Sequence, residues 1–133
     1  MPLLKMAAFA AALTGLCVIA CHAAPPPSGS EQDAILAPHG EWVKGLMNPY
    51  TRQGCCDLSD CRVVSARIRD SHYQAFIGRE AYGEDAPDQW LDVPDDVVLH
   101  ERNNPVGLPI ACWRASRRPL FNGFFCFQDG TAT

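Results

Sequence analysis

Seven cysteines stand among 133 residues, and their placement limits what the chain can fold into more than any other feature. Cys17 and Cys21 belong to an apolar leader, which leaves Cys55, Cys56, Cys61, Cys112 and Cys126 in the folded part. The Cys-x-x-Cys of a thioredoxin-like redox site is absent, as is the Cys-x-x-Cys-His of haem attachment. His39, His72 and His100 are isolated, with no pair at metal-ligand spacing. The expectation is structural disulfides in an oxidising compartment, with no metal and no cofactor. Five is an odd number, so at most two bridges form and one thiol is left over. Cys55 and Cys56 would close a strained ring if bonded to each other, so they are expected to take different partners.

Strand pairing points to one bond. Residues 109–114 and 124–128 are apolar, aromatic runs flanking a turn-like stretch, Ser116-Arg117-Arg118-Pro119 with Asn122-Gly123. An antiparallel hairpin centred near Pro119 sets Cys112 opposite Cys126. The alternative ties the Cys55/Cys56 pair to one of these strands, joining the start of the domain to its end.

The leader supplies the compartment. Lys5 precedes an uninterrupted apolar run over residues 6–20, the length of a signal-peptide core and short for a membrane span. Two cuts fit. Val18-Ile19-Ala20-Cys21 matches a lipobox, in which Cys21 is acylated and becomes the new N-terminus; His22 in place of an aspartate then directs the protein to the outer membrane. Cleavage after Ala23 instead releases a soluble periplasmic or secreted protein. The expected organisation is a signal peptide over 1–23 (1–20 if lipidated), a Pro/Ser-rich linker over 24–38 and one small domain over 39–133.

Eleven basic residues against fifteen acidic ones give a net charge of −4, which argues against nucleic acid as a partner, since phosphate binding needs a dominant basic surface. Trp42 and Leu46, with Val43 and Met47, are spaced by four, predicting one short helix over 39–47 that Asn48-Pro49 ends. Strands are expected over 62–68 and 73–77, joined at Arg69-Asp70-Ser71, then over 90–93 and 97–99, and in the two aromatic runs. Without β-α-β alternation, the fold class is α+β and mostly β: a small antiparallel sheet or partly open barrel with one N-terminal helix, stapled by disulfides.

No catalytic residue is assigned. There is no Gly-x-Ser-x-Gly elbow and no phosphate-cradling glycine loop. Glu84, Asp85, Asp88, Asp92, Asp95 and Asp96 lack calcium-loop spacing and read as a solvated acidic face. His39-Gly40-Glu41-Trp42 gathers a base, a carboxylate and an aromatic, and reads as capping and packing. Arg114, Arg117 and Arg118 cluster on the proposed hairpin turn, a candidate ligand surface for carboxylate or phosphate groups of envelope material.

The order of features has a parallel. Glu41-Trp42 before Pro49, Cys55-Cys56-x4-Cys61-Arg62-Val63, Trp90-x2-Val93-Pro94, Asn104-Pro105-x-Gly107 leading to Cys112, and Phe125-Cys126-Phe127 together resemble a group of short exported alphaproteobacterial proteins of uncharacterised activity. The resemblance spans residues 41–127. It implies a five-cysteine framework and a cell-envelope setting, and brings no activity, ligand or catalytic residue with it. The expectation is therefore an exported, non-enzymatic binding or accessory module, whose partner is an envelope protein or cell-wall component. The alternatives are a cell-wall-acting enzyme or an inhibitor of one, working through the acidic stretch or the arginine turn, and a periplasmic metal-handling protein.

Overall fold

The computed structural model describes Pro26 and residues 30–55, 59–101, 103–118 and 121–130. The leader, Cys21 and Cys56 lie outside the described residues. The fold is α+β and mostly β, with helices near the N-terminus and two small sheets that do not close into a barrel among the described residues.

Helix α1 spans Glu31–Leu36, continues through a 3-10 turn at Ala37–His39 and passes into α2, Gly40–Lys44. The Ser30 hydroxyl caps α1 by accepting from Asp33 N at 3.1 Å, and Glu31 and Asp33 favour the positive end of the helix. This corrects the linker boundary. Residues 30–38 are folded, and Leu36 is fully buried, because a Ser cap and an apolar Ala-Ile-Leu run outweigh the proline beside them. It also corrects the helix end: α2 stops at Lys44, and Asn48-Pro49 belongs to a turn beyond it.

Seven strands follow: β1 Cys61–Val63, β2 Ala66–Arg69, β3 His72–Ile77, β4 Gln89–Asp92, β5 Val98–Leu99, β6 Ile110–Trp113 and β7 Phe124–Gln128, with a single-turn α3, Arg79–Tyr82, after β3. The larger sheet has the order β1-β6-β7-β5, with β5 parallel to β7 and the other pairs antiparallel; the smaller is β2-β3-β4, all antiparallel. The run 62–68 is thus two strands in different sheets, parted at Val64-Ser65. Asp70 and Ser71, both with positive φ (50° and 68°), form the two-residue turn that pairs Arg69 with His72.

The sheets pack around one core of Val64, Ala75, Ile77, Val93, Val98, Ala111, Trp113, Phe124 and Phe127. The other face of the larger sheet carries Cys61, Ile110, Cys112 and Cys126 beneath Leu36, Val43 and Leu46 of the helical segment. An irregularity between Cys112↔Cys126 and Trp113↔Phe124 inserts Phe125 as an extra residue in β7, so Phe124 and Phe127 share one core while Phe125 and Cys126 join the other. Gly123, at φ 95°, is required at the entry to β7: a Cβ there would stand 2.5 Å from the Arg114 carbonyl oxygen.

The hairpin register expected from the sequence is present, with Cys112 opposite Cys126, but the bond expected there is not formed. Cys61 bonds Cys112 and Cys55 bonds Cys126. Cys61, Cys112 and Cys126 form one row across β1, β6 and β7, and β1 on the far side of β6 competes for Cys112. The second bridge takes the alternative route, from the start of the domain to its last strand.

The free edge of β1 is plugged by side chains. The Gln32 carboxamide of α1 donates to Val63 O and accepts from Val63 N, both at 2.9 Å, as a neighbouring strand would. Arg62 Nη1 donates to Cys61 O at 2.8 Å.

Candidate functional site

Two Asn-Pro turns shape the surface at the open ends of β5 and β7. Asn48 is buried; its Nδ2 donates to Phe125 O (2.7 Å) while its Oδ1 accepts from Tyr50 N (2.9 Å) and Thr51 N (2.7 Å). Asn104, also buried, donates to Leu108 O (2.8 Å) and Asp129 O (2.9 Å) and accepts from Val106 N and Gly107 N. Each amide organises a turn and pins it to β7 or the residue just after it. The Cys55–Cys126 bond fastens the first turn a second time.

Between these turns lies a cleft of about 400 Å³. Trp42, Leu46, Met47 and Pro49 form one wall, Leu99, His100 and Glu101 the other, and Gln128 belongs to its lining from β7. Its lining is mixed, with Arg52, His100, Glu101, Asn103 and Gln128 beside the apolar side chains. Met47 is 49% exposed beside it and Tyr50, in the same turn, 78% exposed. Gln128 is 4% exposed; its Nε2 donates to Glu101 O at 2.9 Å, and its Oε1 is buried without a hydrogen-bond partner. The orientation of this amide is set by the Glu101 carbonyl, which can face only the N–H side.

A second, polar cavity of about 580 Å³ opens beside the small sheet, lined by Arg69, Asp70, His72, Gln74, Asp92 and Asp95 among others. Arg67 Nε donates to Gln74 Oε1 (2.8 Å) and Gln74 Nε2 to Asp92 Oδ1 (2.7 Å), a polar row across β2, β3 and β4. His72 Nδ1 lies 3.2 Å from Asp95 Oδ1. The structure thus gathers Asp92 and Asp95 of the acidic stretch with Asp70, and leaves Glu84, Asp85, Asp88 and Asp96 exposed elsewhere.

A third cavity, about 450 Å³, runs between α1 and the two sheets and includes Arg62. Arg62 is buried, gives Nε to Ala81 O at 2.9 Å and lies 6.0 Å from the Tyr82 ring. Burial lowers its pKa from the usual arginine value, opposed by the charges of Tyr82 and Asp60. Asp60 is fully buried on the same side of β1, and neither of its carboxylate oxygens has a hydrogen-bond partner among the described residues. The Tyr82 hydroxyl donates to Ala111 O, so this polar knot fastens α3 to β1 and β6.

The arginine turn is not gathered into a site. Arg114 stacks 5.0 Å over the Phe125 ring, Arg117 and Arg118 are exposed, and none of the three lines these cavities. Glu41 pairs with Lys44 at 2.9 Å on an exposed helix face. His39, His72 and His100 stand on three separate segments, and no group of three or more metal-ligating side chains gathers among the described residues. The Asn-Pro turns and Gln128 were not assigned from the sequence. Asn-Pro repeated at 48 and 104 is the signal for the turns; nothing local marks Gln128, whose role depends on the register of β5, β6 and β7.

Comparison with known family models, with curated proteins and with solved structures finds no match. Among the described residues no helix is long and apolar enough to cross a membrane.

Proposed function

We propose that the chain is an exported cell-envelope protein acting as a small non-enzymatic binding module, with the cleft between α2 and β5 as its ligand face. The observation that carries this reading is the pair of buried disulfides, Cys55–Cys126 and Cys61–Cys112, since such bonds persist outside the reducing cytoplasm. The leader adds two forms, an outer-membrane lipoprotein acylated at Cys21 and a soluble periplasmic or secreted protein cut after Ala23, of which we favour the first. The likeness to short exported alphaproteobacterial proteins supports the same setting.

Intact mass of the protein made in its native envelope, with and without reduction and alkylation, tests this. The expected species begins at acylated Cys21 and carries two bridges and one alkylatable thiol. A species beginning at residue 24 without lipid supports the soluble form. Five alkylatable thiols before reduction overturn the export reading.

The second reading, an enzyme acting on the cell wall or an inhibitor of one, draws on His72 and Asp95 beside Asp70 and Asp92 in the polar cavity. Turnover of cell-wall fragments that is lost in Asp92→Asn and Asp95→Asn would favour it.

A further inference from the structure

We infer that β2 is a docking edge: it takes an extended acidic segment of a partner protein as an antiparallel fourth strand of the smaller sheet, with carboxylates opposite Arg67 and Arg69 and an apolar side chain opposite Ile68. No residue of β2 lines the α2–β5 cleft, so this surface goes beyond the ligand face proposed above.

Main-chain groups select the shape of this partner. Phe76 N donates to Ser65 O at 2.9 Å, and Val93 N donates to Tyr73 O at 2.9 Å on the other side of β3. Bonding residues alternate along an antiparallel ladder. Ser65, Arg67 and Arg69 therefore bond β3, while the N–H and C=O groups of Ala66 and Ile68 point away from it, and no group among the described residues bonds to them. The other edges are blocked or short. The Gln32 carboxamide occupies the edge of β1, Asn122 Nδ2 donates to Asp92 O at 3.0 Å on the outer side of β4, and β5 has only two residues. Native sheets cover, shorten or charge the edges they do not use. The four residues of β2 are neither covered nor short, and their charges admit one kind of strand while repelling another.

Side chains select its composition. Successive residues of β2 face opposite sides of the sheet. Ala66 packs against the core, and Ile68 on the same side is 68% exposed, so an apolar residue opposite Ile68 covers it. Arg67 and Arg69 face the other side. Arg67 gives Nε to Gln74 Oε1 at 2.8 Å and lies 4.1 Å over the Trp90 ring, which holds the guanidinium in place and leaves its terminal nitrogens for a carboxylate. Arg69 lies 3.8 Å from the exposed Asp70. On an added strand the residues opposite 67 and 69 form non-hydrogen-bonded pairs, the closer kind, in which opposite charges attract and like charges repel. A second copy of β2, bonded antiparallel through Ala66 and Ile68, would bring Arg67 and Arg69 of both copies onto one face. The occupant is therefore an acidic strand from another protein, added as in other cases of strand augmentation.

The test uses the full chain, isotope-labelled and with both disulfides formed, titrated with acetyl-Glu-Val-Glu-Val-amide and with its Lys-Val-Lys-Val counterpart. Two N-methyl isomers of the acidic peptide, one methylated at both valines and one at both glutamates, separate strand addition from other contacts. With the valines opposite Ile68 and Ala66, the valine N–H groups bond β2 and the glutamate N–H groups point outward. NMR is expected to show saturable shifts at the Ala66 and Ile68 amides, with a Kd on the order of 1 mM for so small a probe. Methylation at glutamate leaves this binding in place and methylation at valine abolishes it. The lysine peptide, and the Arg69→Glu variant at an exposed position that does not endanger the fold, each weaken it by about tenfold. Absence of saturable shifts at Ala66 and Ile68 with the acidic peptide overturns the docking edge. Equal affinity of the two methyl isomers overturns strand addition, and equal affinity of the acidic and lysine peptides overturns the acidic partner. Concentration-dependent dimerisation of the protein alone, with the Ala66 and Ile68 amides protected from exchange, assigns the edge to a second copy and overturns the proposal.

Discussion

The buried Asn48 and Asn104 side chains each satisfy several main-chain groups: two N–H donors within the turn, and one or two carbonyls, at Phe125 for Asn48 and at Leu108 and Asp129 for Asn104. Replacing either with alanine removes all of these bonds and refills none. Asn48→Ala and Asn104→Ala are each expected to lower unfolding free energy by about 2 kcal/mol, read from urea midpoints. Two tyrosines set an alkaline limit at the same scale. Burial, opposed by Arg62, raises the Tyr82 pKa above its ordinary value of 10.0, and the hydrogen bond to Asp129 raises that of Tyr73. The unfolded chain then loses these protons before the folded one does. Their contribution is present in full below pH about 10 and is lost as pH rises through the folded values. Equilibrium unfolding from pH 8 to 12 is expected to show stability falling above pH 10, with a shallower fall in Tyr82→Phe.

At the scale of elements, the Gln32 carboxamide stands where a fifth strand of the larger sheet would stand. It joins α1 to β1 and denies the edge to other chains. Gln32→Ala is expected to speed amide exchange at Val63 by about tenfold or more and to cost about 1 to 2 kcal/mol. Gln32→Glu keeps the acceptor for Val63 N while losing the donor to Val63 O, and should fall between. Much of the element list was readable from local pattern. Phe124–Gln128, the Asp70-Ser71 turn and the pairing of Cys112 with Cys126 follow from alternation and turn chemistry. What was not readable depends on tertiary partners. The run from Arg62 to Ile68 looks continuous, yet its first half pairs with β6 and its second with β3. The 24–38 stretch looks like a tether because prolines dominate its composition, although its second half buries Leu36 against the disulfide layer. The arginines of 114–118 cluster in sequence, but one lies on Phe125 and the others face solvent. The cleft is built from three separate segments, around residues 42–52, 99–103 and 128, so no window of sequence contains it.

For the molecule as a whole, the two bridges close sequence separations of 51 and 71 residues, and the smaller loop lies inside the larger. Chain entropy assigns each about 4 kcal/mol when it is the only bridge. Because the loops are nested, each closure acts on a chain already shortened by the other, so removing either alone is expected to cost about 3 kcal/mol and removing both more than the sum of the two single removals. Thermal unfolding of Cys55→Ser/Cys126→Ser, of Cys61→Ser/Cys112→Ser and of the fourfold variant measures this directly. Domains of this size hold roughly 5 to 15 kcal/mol in total, so the fourfold variant is expected to sit near the threshold of folding. The row of Cys61, Cys112 and Cys126 carries a consequence for biogenesis. Cys112 and Cys126 are about fourteen residues apart and face each other as soon as the β6–β7 hairpin forms. Loop closure favours that contact over the native ones by about 1 kcal/mol, so the earliest crosslink is expected to be the one that the finished protein lacks. Acid-quenched mass mapping during reoxidation should find Cys112–Cys126 first and see it decay as β1 docks, faster when a disulfide isomerase is added. A newly made chain of this sequence would then depend for its yield on a catalyst of bond reshuffling rather than on an oxidant alone.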